Sequence, residues 1–146
     1  MKTAYADTSF LVSLYTPDGH SPRAAGALRR EIALVLTPFG EVELTNAIQL
    51  RVFREELNAA EAAAARRALQ EDVASGVFSL KPLPASVFEA AKRLAQRHTP
   101  ALGTRTLDIL HVASALVLGA DVLYTFDRGQ RRLARAEALR VWPETA

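Results

Sequence analysis

Short apolar segments alternate with helical patterns along the whole chain, and this alternation constrains the fold more than any other feature. The segments predicted as strands are TAYAD, ALVLTP and DVLYTF, with FSLKPLP as an edge strand because its prolines disfavour a central position. Strands that alternate with helices are most simply parallel, since each crossover needs a helix-length connection. The sequence therefore predicts one α/β domain with a parallel sheet over residues 1–146.

Helical spacing and capping signals predict seven helices between and after these strands. Their segments are SFLVSLYTP, SPRAAGALRREI, GEVELTNAIQLRVFRE, the alanine-rich run up to Gly76, residues 86–98, residues 106–118 and RGQRRLARAEAL. Asn58 and Glu61 have the spacing of a capping box at the start of the alanine-rich run. Ser21 followed by Pro22 predicts a cap and first position of the second helix. TPALGTR is predicted to be a loop.

The chain contains no cysteine, which excludes disulfide frameworks, thiol nucleophiles and thiolate zinc sites. Its first apolar residues reach Asp7 before a secretory signal could form. The most apolar stretch is interrupted by Asp108, His111 and Asp121, so it is too short to cross a bilayer core of about 30 Å. We therefore expect a cytoplasmic protein without a membrane segment.

Carboxylates occur where predicted strands end and helices begin. Asp7 and Asp127 follow apolar strands, and the carboxyl ends of parallel strands form the edge where ligands bind. Asp108 lies in the first turn of its helix, and Glu43 lies near the start of the helix after the second strand. Each alone is explained by a cap, a turn, a helix dipole or a solvated surface. Together they would repel one another unless a cation held them, so the sequence predicts a metal site.

The available ligand types indicate which metal. Histidines 20, 98 and 111 are scattered, and no HExxH or paired Cys/His spacing exists. An all-oxygen site suits Mg²⁺ or Mn²⁺, which commonly act on phosphates. His111 lies one helical turn beyond Asp108. It has two interpretations, a side chain that lines the site and a satisfied histidine of the core.

The formal charge of +2 and a sequence pI near 9.3 make the chain only mildly basic. Four arginines follow Asp127 closely: Arg128, Arg131, Arg132 and Arg135. Guanidinium groups bind phosphate bidentately, so the cluster predicts contacts to the phosphates of a nucleic acid. A solvated helix face is the equally weighted alternative.

Four segments together resemble a known family. YADTSFLVSLY, GEVELTNAI, RTLDILHVASAL and LYTFDRGQRRLA are similar to the motif regions of PIN domains, in the same order, and most similar to VapC-like toxin ribonucleases of toxin-antitoxin pairs. The resemblance covers essentially the whole chain. It implies a PIN-like α/β/α sandwich around a central parallel sheet and a Mg²⁺- or Mn²⁺-dependent endoribonuclease. It further implies an RNA substrate, a homodimer and a cognate antitoxin protein.

The resemblance also assigns roles to individual residues. The implied catalytic metal ligands are Asp7, Glu43, Asp108 and Asp127. The implied supporting residues are Thr8, Ser9, Asn46 and Thr125. Within GEVEL, Glu43 is preferred to Glu41 because the family glutamate is followed by leucine.

Two other functions fit parts of the sequence. A catalytically silent PIN fold that binds RNA or protein would retain the same motifs. A phosphoacceptor receiver domain would explain Asp after a strand and the pair Lys81-Pro82, but receivers place Lys-Pro after all their acidic residues.

Strand geometry also separates Asp121 from Asp127. They bracket one strand at about 3.3 Å per residue and are predicted roughly 20 Å apart, with Asp121 at the opposite edge of the sheet.

Overall fold

A computed structural model describes residues 1–145. Its strands are β1 (Thr3–Ala6), β2 (Ala33–Leu36), β3 (Phe78–Leu80), β4 (Val122–Tyr124) and β5 (Arg140–Trp142). They form one five-stranded sheet in the order β3-β2-β1-β4-β5. Every neighbouring pair is parallel. The predicted parallel sheet is therefore confirmed, with FSLKPLP supplying an edge strand as expected.

The described residues contain seven helices, as the sequence predicts. Their bounds are α1 (Thr8–Tyr15), α2 (Ser21–Ala27), α3 (Pro38–Phe53), α4 (Ala59–Ala74), α5 (Ser86–Leu102), α6 (Thr106–Val117) and α7 (Arg128–Ala136). Apolar side chains of α1 to α4 pack on one face of the sheet, and those of α5 to α7 pack on the other. The chain thus forms the α/β/α sandwich that the resemblance implied.

The strands contribute to both halves of the core because successive side chains point to opposite faces. In β1, Ala4 packs with α1 to α4, whereas Tyr5 packs with α5 to α7. In β4, Leu123 and Tyr124 divide in the same way. Strands covered on both faces need near-continuous apolar sequence, which is why TAYA and ALVL carry no charge.

Side-chain caps start the helices that follow β1, β2 and β4. Asp7, Thr37 and Asp127 each accept a hydrogen bond from the backbone N–H three residues later. These bonds satisfy N–H groups that the first helical turn leaves free. The predicted capping box of α4 is also present, with reciprocal bonds between Asn58 and Glu61. The caps place polar side chains at the carboxyl edge of the sheet.

Several predicted boundaries are wrong. Helix α5 continues through Pro100, so the predicted loop begins only at Gly103, whose φ of +62° ends the helix. Helix α2 ends at Ala27, and its cap position is His20. Ser21 is not the cap because its hydroxyl accepts from the Asp18 N–H and donates to the Thr16 carbonyl. Strand β5 was not predicted.

The strand order bears on the receiver hypothesis. A receiver has the order 2-1-3-4-5, whereas this sheet places β1 between β2 and β4. The receiver interpretation is therefore wrong. Within residues 1–145, no helix combines the length and apolar character needed to cross a membrane.

Candidate active site at the carboxyl edge of the sheet

The strand order creates a crevice between β1 and β4. The chain winds from β1 outward to β2 and β3 on one side, and β4 and β5 extend the sheet on the other. Ligands of open parallel sheets bind at such a switch point, outside the carboxyl ends of the strands. Asp7 follows β1 directly, and its N–H donates to the Tyr124 carbonyl at the end of β4 (3.1 Å). Asp7 therefore lies at the position where the strand order predicts ligand binding.

Asp121 lies at the other end of the same strand. Its N–H donates to the Thr3 carbonyl (2.9 Å), and its carboxylate accepts from the Thr3 N–H (2.8 Å). Thr3 begins β1, so these bonds place Asp121 at the amino edge of the sheet, opposite Asp7. The strand direction assumed in separating Asp121 from Asp127 is correct.

Asp7 is completely buried among neutral donors. Its Oδ1 accepts from the Phe10 N–H (2.9 Å) and from the Ser9 hydroxyl (2.8 Å), and its Oδ2 accepts from the Thr125 hydroxyl (2.5 Å). Burial raises the pKa of Asp7 above its ordinary value, although His111 and these hydrogen bonds oppose the rise. The carboxylate is thus held in place by dipoles rather than by a salt bridge.

The same two hydroxyls hold the loop that carries Asp127. Ser9 Oγ accepts from the Phe126 N–H (2.9 Å), and Thr125 Oγ1 accepts from the Asp127 N–H (2.9 Å). Because each hydroxyl also bonds to Asp7, the ends of β1 and β4 are tied together through side chains. Ser9 and Thr125 therefore have the geometry of residues that position carboxylates.

Asp108 and Asp127 share one cation, which is Arg105. Its Nε donates to Asp108 Oδ2 (3.0 Å) and its Nη2 donates to Asp127 Oδ2 (3.2 Å), while 74% of its side chain stays exposed. These two acidic side chains also flank Gly129, where an added Cβ would lie 3.2 Å from an oxygen of each. Glycine keeps that space open. Sequence reasoning missed Arg105, because nothing in RTLD indicates that its guanidinium turns toward a second carboxylate.

Gln130 gives Asp108 a further contact. Its Nε2 donates to Asp108 Oδ1 (3.2 Å). Its Oε1 is buried and has no hydrogen-bond partner among the described residues. A buried amide oxygen without a partner costs free energy, so the Asp108 side of the site has unused acceptor capacity.

Glu43 reaches the site from α3. Its Oε1 accepts from the Thr8 hydroxyl (2.8 Å) and contacts Nε2 of His111. Burial alone would raise the pKa of Glu43, but the hydrogen bonds from His111 and Thr8 outweigh it, and the pKa lies below its ordinary value. His111 is itself buried, and its Nδ1 bonds to the Tyr5 hydroxyl (2.9 Å). Both interpretations of His111 therefore hold, since it is a core residue that also contacts the site.

Three other predicted residues have different surroundings. Asn46 is exposed one turn beyond Glu43, and no hydrogen bond joins its side chain to another described residue. Arg128 and Arg132 are exposed and line a cavity of about 310 Å³ together with Arg105, Asp108 and Asp127. Two residues of the predicted arginine cluster, Arg128 and Arg132, therefore lie beside the acidic residues of the candidate site.

Arg131 does not face this cavity. It is 3% exposed, and its guanidinium donates to the carbonyls of Thr125 (2.9 Å), Pro143 and Glu144 (3.1 Å). These three hydrogen bonds from one buried guanidinium hold Pro143 and Glu144 against the end of β4, so the guanidinium is turned away from a phosphate in the cavity. The predicted substrate contact of Arg131 is not supported.

The donor chemistry fits a hard divalent cation, although the side chains are not arranged as a finished site. Carboxylate and hydroxyl oxygens at one sheet edge are the ligands that Mg²⁺ and Mn²⁺ prefer. Within residues 1–145, no three acidic or histidine side chains are grouped closely enough to hold an ion as they stand. Two of the carboxylates are instead bridged by Arg105, and Glu43 is paired with His111.

Comparison with known families identifies the chain. The model of the PIN domain matches residues 4–136, a range that contains all four candidate carboxylates. The chain belongs to the PIN domain family. The resemblance read from the four sequence motifs is therefore confirmed.

Solved structures share this PIN fold at low sequence identity. The VapC20 toxin of Mycobacterium tuberculosis, described as cleaving the sarcin-ricin loop, superposes with a TM-score of 0.68 at 18% identity, covering 92% of this chain and 95% of its own. FitAcB from Neisseria gonorrhoeae gives 0.71 at 17% identity, covering 97% and 98%. PAE2754 from Pyrobaculum aerophilum gives 0.62 at 21%, covering 96% and 83%. No curated protein sequence matches this PIN domain significantly.

Proposed function

We propose that this PIN domain is an endoribonuclease that requires Mg²⁺ or Mn²⁺ and hydrolyses phosphodiester bonds of RNA. The observation that carries the proposal is the convergence of carboxylates on the crevice between β1 and β4, beside exposed arginines. Asp108 and Asp127 line one cavity with Arg128 and Arg132, so groups suited to a metal and groups suited to a phosphate share one space.

Asp7, Glu43, Asp108 and Asp127 would hold the ion. When bound, such an ion lowers the pKa of a coordinated water and stabilises charge on the leaving oxygen. The chain's own residues orient the ligands. Ser9 and Thr125 fix both oxygens of Asp7, and Thr8 with His111 fixes Glu43. Hydroxyl donors suit this task because they hold a carboxylate without neutralising it.

Arg105 has two states in this scheme. Its guanidinium bridges Asp108 and Asp127, and its side chain is mostly exposed. Because exposed arginines move at little cost, this bridge would not prevent Asp108 and Asp127 from holding a divalent cation. Arg105 lines the same cavity as Arg128 and Arg132, so a guanidinium displaced from the two carboxylates would be placed to contact an RNA phosphate.

The test of the nuclease is RNA cleavage by purified protein. Single-stranded RNA should be cut with Mg²⁺ or Mn²⁺, and EDTA should stop the reaction. Asp7→Asn should reduce the rate by at least about 100-fold, a larger loss than changes to outer ligand partners usually cause. Cleavage that continues in EDTA would overturn the metal mechanism. Wild-type activity of folded Asp7→Asn at saturating metal would reduce Asp7 to a helix cap.

The contribution of Arg132 to RNA binding can be tested by substitution. Arg132→Gln should weaken RNA binding and lower the dependence of log K on log salt by about one unit, because one fewer counterion is released. Arg93→Gln is the matched control, since Arg93 is exposed on α5 and lines a different cavity. Equal salt slopes in both variants would return Arg132 to the solvated-face interpretation.

We further propose that this nuclease acts in the cytoplasm as the toxin of a toxin-antitoxin pair, as a homodimer restrained by its antitoxin. The support is the family and the structural likeness to a named toxin. Light scattering at tens of micromolar should give twice the mass of one chain if a dimer of roughly micromolar affinity forms. Co-expression with the protein of the adjacent gene should relieve growth arrest in a host that produces the nuclease.

A PIN fold that binds without cutting is the second candidate. The observation that favours it is the guanidinium of Arg105 between Asp108 and Asp127, which makes an ion unnecessary to hold these carboxylates. Calorimetric titration with Mn²⁺ separates the two functions. Saturable binding that is lost in Asp127→Asn supports the nuclease, and no binding supports the silent module.

A further inference from the structure

A second cavity lies on the face of the sheet that packs against α1 and α2. Its volume is about 340 Å³, which is within the range of small-molecule sites. The cavity is lined by Val122 and Tyr124 of β4 and by Trp142 of β5. Arg23 of α2 and Arg30, which follows α2, also line it. None of the four candidate carboxylates of the nuclease site lines this cavity. We call it the Trp142 cavity.

The Trp142 cavity carries an excess of positive charge. Its four cations are Lys2, Arg23, Arg30 and Arg140, and its two acids are Asp121 and Glu144. The cations therefore outnumber the acids by two. Asp121 accepts from the Thr3 N–H, and Glu144 lies 3.9 Å from Arg140. A cavity with low-dielectric walls and unbalanced cations concentrates anions, so the ligand it favours is negatively charged.

Tyr124, which lines this cavity, has a buried hydroxyl without a partner among the described residues. Tyr124 is 0% exposed, and its hydroxyl makes no hydrogen bond within residues 1–145. Buried hydroxyls are nearly always hydrogen-bonded, because an unpaired one costs free energy. Burial raises the pKa of Tyr124 and the charge of Arg30 opposes the rise, which is consistent with a hydroxyl near Arg30. A ligand that enters the cavity deeply enough to reach this hydroxyl would supply the missing partner.

The guanidinium of Arg30 lies over the ring of Trp142 at this cavity. The guanidinium carbon of Arg30 lies 6.0 Å from the centre of the Trp142 ring. A planar ring between them needs about 7 Å, which is two van der Waals separations of about 3.5 Å. Arg30 is exposed, so its side chain can move outward by the difference. Indole below and guanidinium above are both good stacking surfaces for a nucleobase.

We propose that the Trp142 cavity binds a nucleotide with a terminal phosphate. The base stacks between Trp142 and Arg30, an acceptor on its edge takes the Tyr124 hydroxyl, and the phosphate binds the surrounding cations. The nucleotide is either free or the 5′ end of an RNA, since both present the same base and phosphate. This site is separate from the proposed nuclease site and does not depend on it.

The sole tryptophan of the chain is Trp142, so its fluorescence reports directly on the cavity. Full-length protein in EDTA is titrated with adenosine 5′-monophosphate, with adenosine and with inorganic phosphate. The monophosphate should quench the fluorescence saturably, adenosine should bind at least about tenfold more weakly, and phosphate should compete. Each tenfold corresponds to about 1.4 kcal/mol, as expected for one charged hydrogen-bonding group.

Three variants test the geometry. Arg30→Gln should weaken binding by about tenfold or more, and Tyr124→Phe by about twofold to tenfold, the range for one neutral hydrogen bond. Arg29→Gln is the control, because Arg29 is an exposed neighbour that does not line the cavity. Wild-type affinity in both Arg30→Gln and Tyr124→Phe would overturn the proposal, as would equal losses in Arg29→Gln and Arg30→Gln.

The two sources of the nucleotide are distinguished with short RNAs. A 5′-phosphorylated RNA that binds more tightly than adenosine 5′-monophosphate identifies the RNA end, and the reverse order identifies a free nucleotide. An RNA with a 5′ hydroxyl that quenches as well as the phosphorylated RNA contradicts the proposal. So does the absence of saturable quenching by every nucleotide probe at millimolar concentration. Retained EDTA-sensitive nuclease activity has no bearing on either result.

Discussion

Asp7 and Asp127 have the same local structure and opposite surroundings. Each follows a parallel strand, caps a helix and accepts from the N–H three residues later at 2.9 Å. Asp7 is completely buried and is held by two hydroxyls. Asp127 has a side chain that is 26% exposed, and it is held by the guanidinium of Arg105.

The comparison shows two ways in which the protein stabilises a carboxylate that could bind a cation. Around Asp7 the protein supplies dipoles, which orient the oxygens without forming an ion pair with the carboxylate. Around Asp127 an exposed arginine compensates the charge and is screened by solvent. We therefore expect Asp7 to be the rigid part of the site at a cost to stability, and Asp127 to be the part that exchanges partners.

The largest expected effect is on catalysis, where the two aspartates should behave alike. Asp127→Asn should lower the rate at saturating Mn²⁺ by at least about 100-fold, as Asp7→Asn should, because each removes a proposed ligand. Asparagine caps helices as well as aspartate, so both variants should fold. Asp121→Asn is the control at the opposite edge and should stay within about twofold of wild type, losing at most about 1 kcal/mol of stability. If Asp121→Asn were inactive and Asp127→Asn active, the proposed location of the nuclease site at the carboxyl edge of the sheet would be wrong.

The second effect is on stability, where the two should differ. Asp7→Asn should raise the free energy of unfolding at neutral pH by roughly 1 to 3 kcal/mol, because it removes a buried charge that has no ion-pair partner. The hydroxyls of Ser9 and Thr125 can accept from the new amide as well as donate. Asp127→Asn should give no such gain, since its carboxylate is compensated and partly exposed. Urea unfolding of both variants measures the contrast.

The pH dependence of that gain has a definite sign. The folded pKa of Asp7 is raised, so the folded state holds its proton more tightly than the unfolded chain does. The stability this provides is complete below the unfolded pKa and is lost as pH rises through the folded pKa. The advantage of Asp7→Asn over wild type should therefore be largest at neutral pH and shrink as pH falls. An advantage that grew toward acid pH would contradict the burial of an ionised Asp7.

The smallest effect belongs to Arg105. Arg105→Gln should lower the free energy of unfolding by less than about 1 kcal/mol, because ion pairs of exposed arginines contribute little. The loss should diminish further in high salt, since screening weakens both ion pairs and the repulsion between Asp108 and Asp127. A loss of several kcal/mol would mean that Arg105 is a fixed structural element, and the contrast with Asp7 would fail.

Local signals explain what the sequence predicted well. The TAYAD and ALVLTP strands, the capping box at Asn58 and the carboxylates after strands all depend on residues close in the chain. Arg105 and Arg131 could not be predicted, because the partners of a long side chain are decided by packing between distant elements. Arg105 reaches Asp127 across 22 positions, and Arg131 turns inward to Pro143. Strand β5 was missed because Arg140 begins it and Pro143 follows it, which leaves only two consecutive apolar residues as a signal.

The insertion of β4 beside β1 has a consequence for synthesis of the chain. Asp7 depends on Thr125, 118 positions later, and the last candidate ligand is Asp127. During translation the amino-terminal half can pair β1 with β2 long before β4 emerges, because domains fold as their segments become available. Until β4 enters the sheet, Asp7 lacks the Thr125 bond, and Asp108 and Asp127 have no crevice to share. A nascent or truncated chain without β4 therefore lacks the crevice on which the proposed nuclease activity depends.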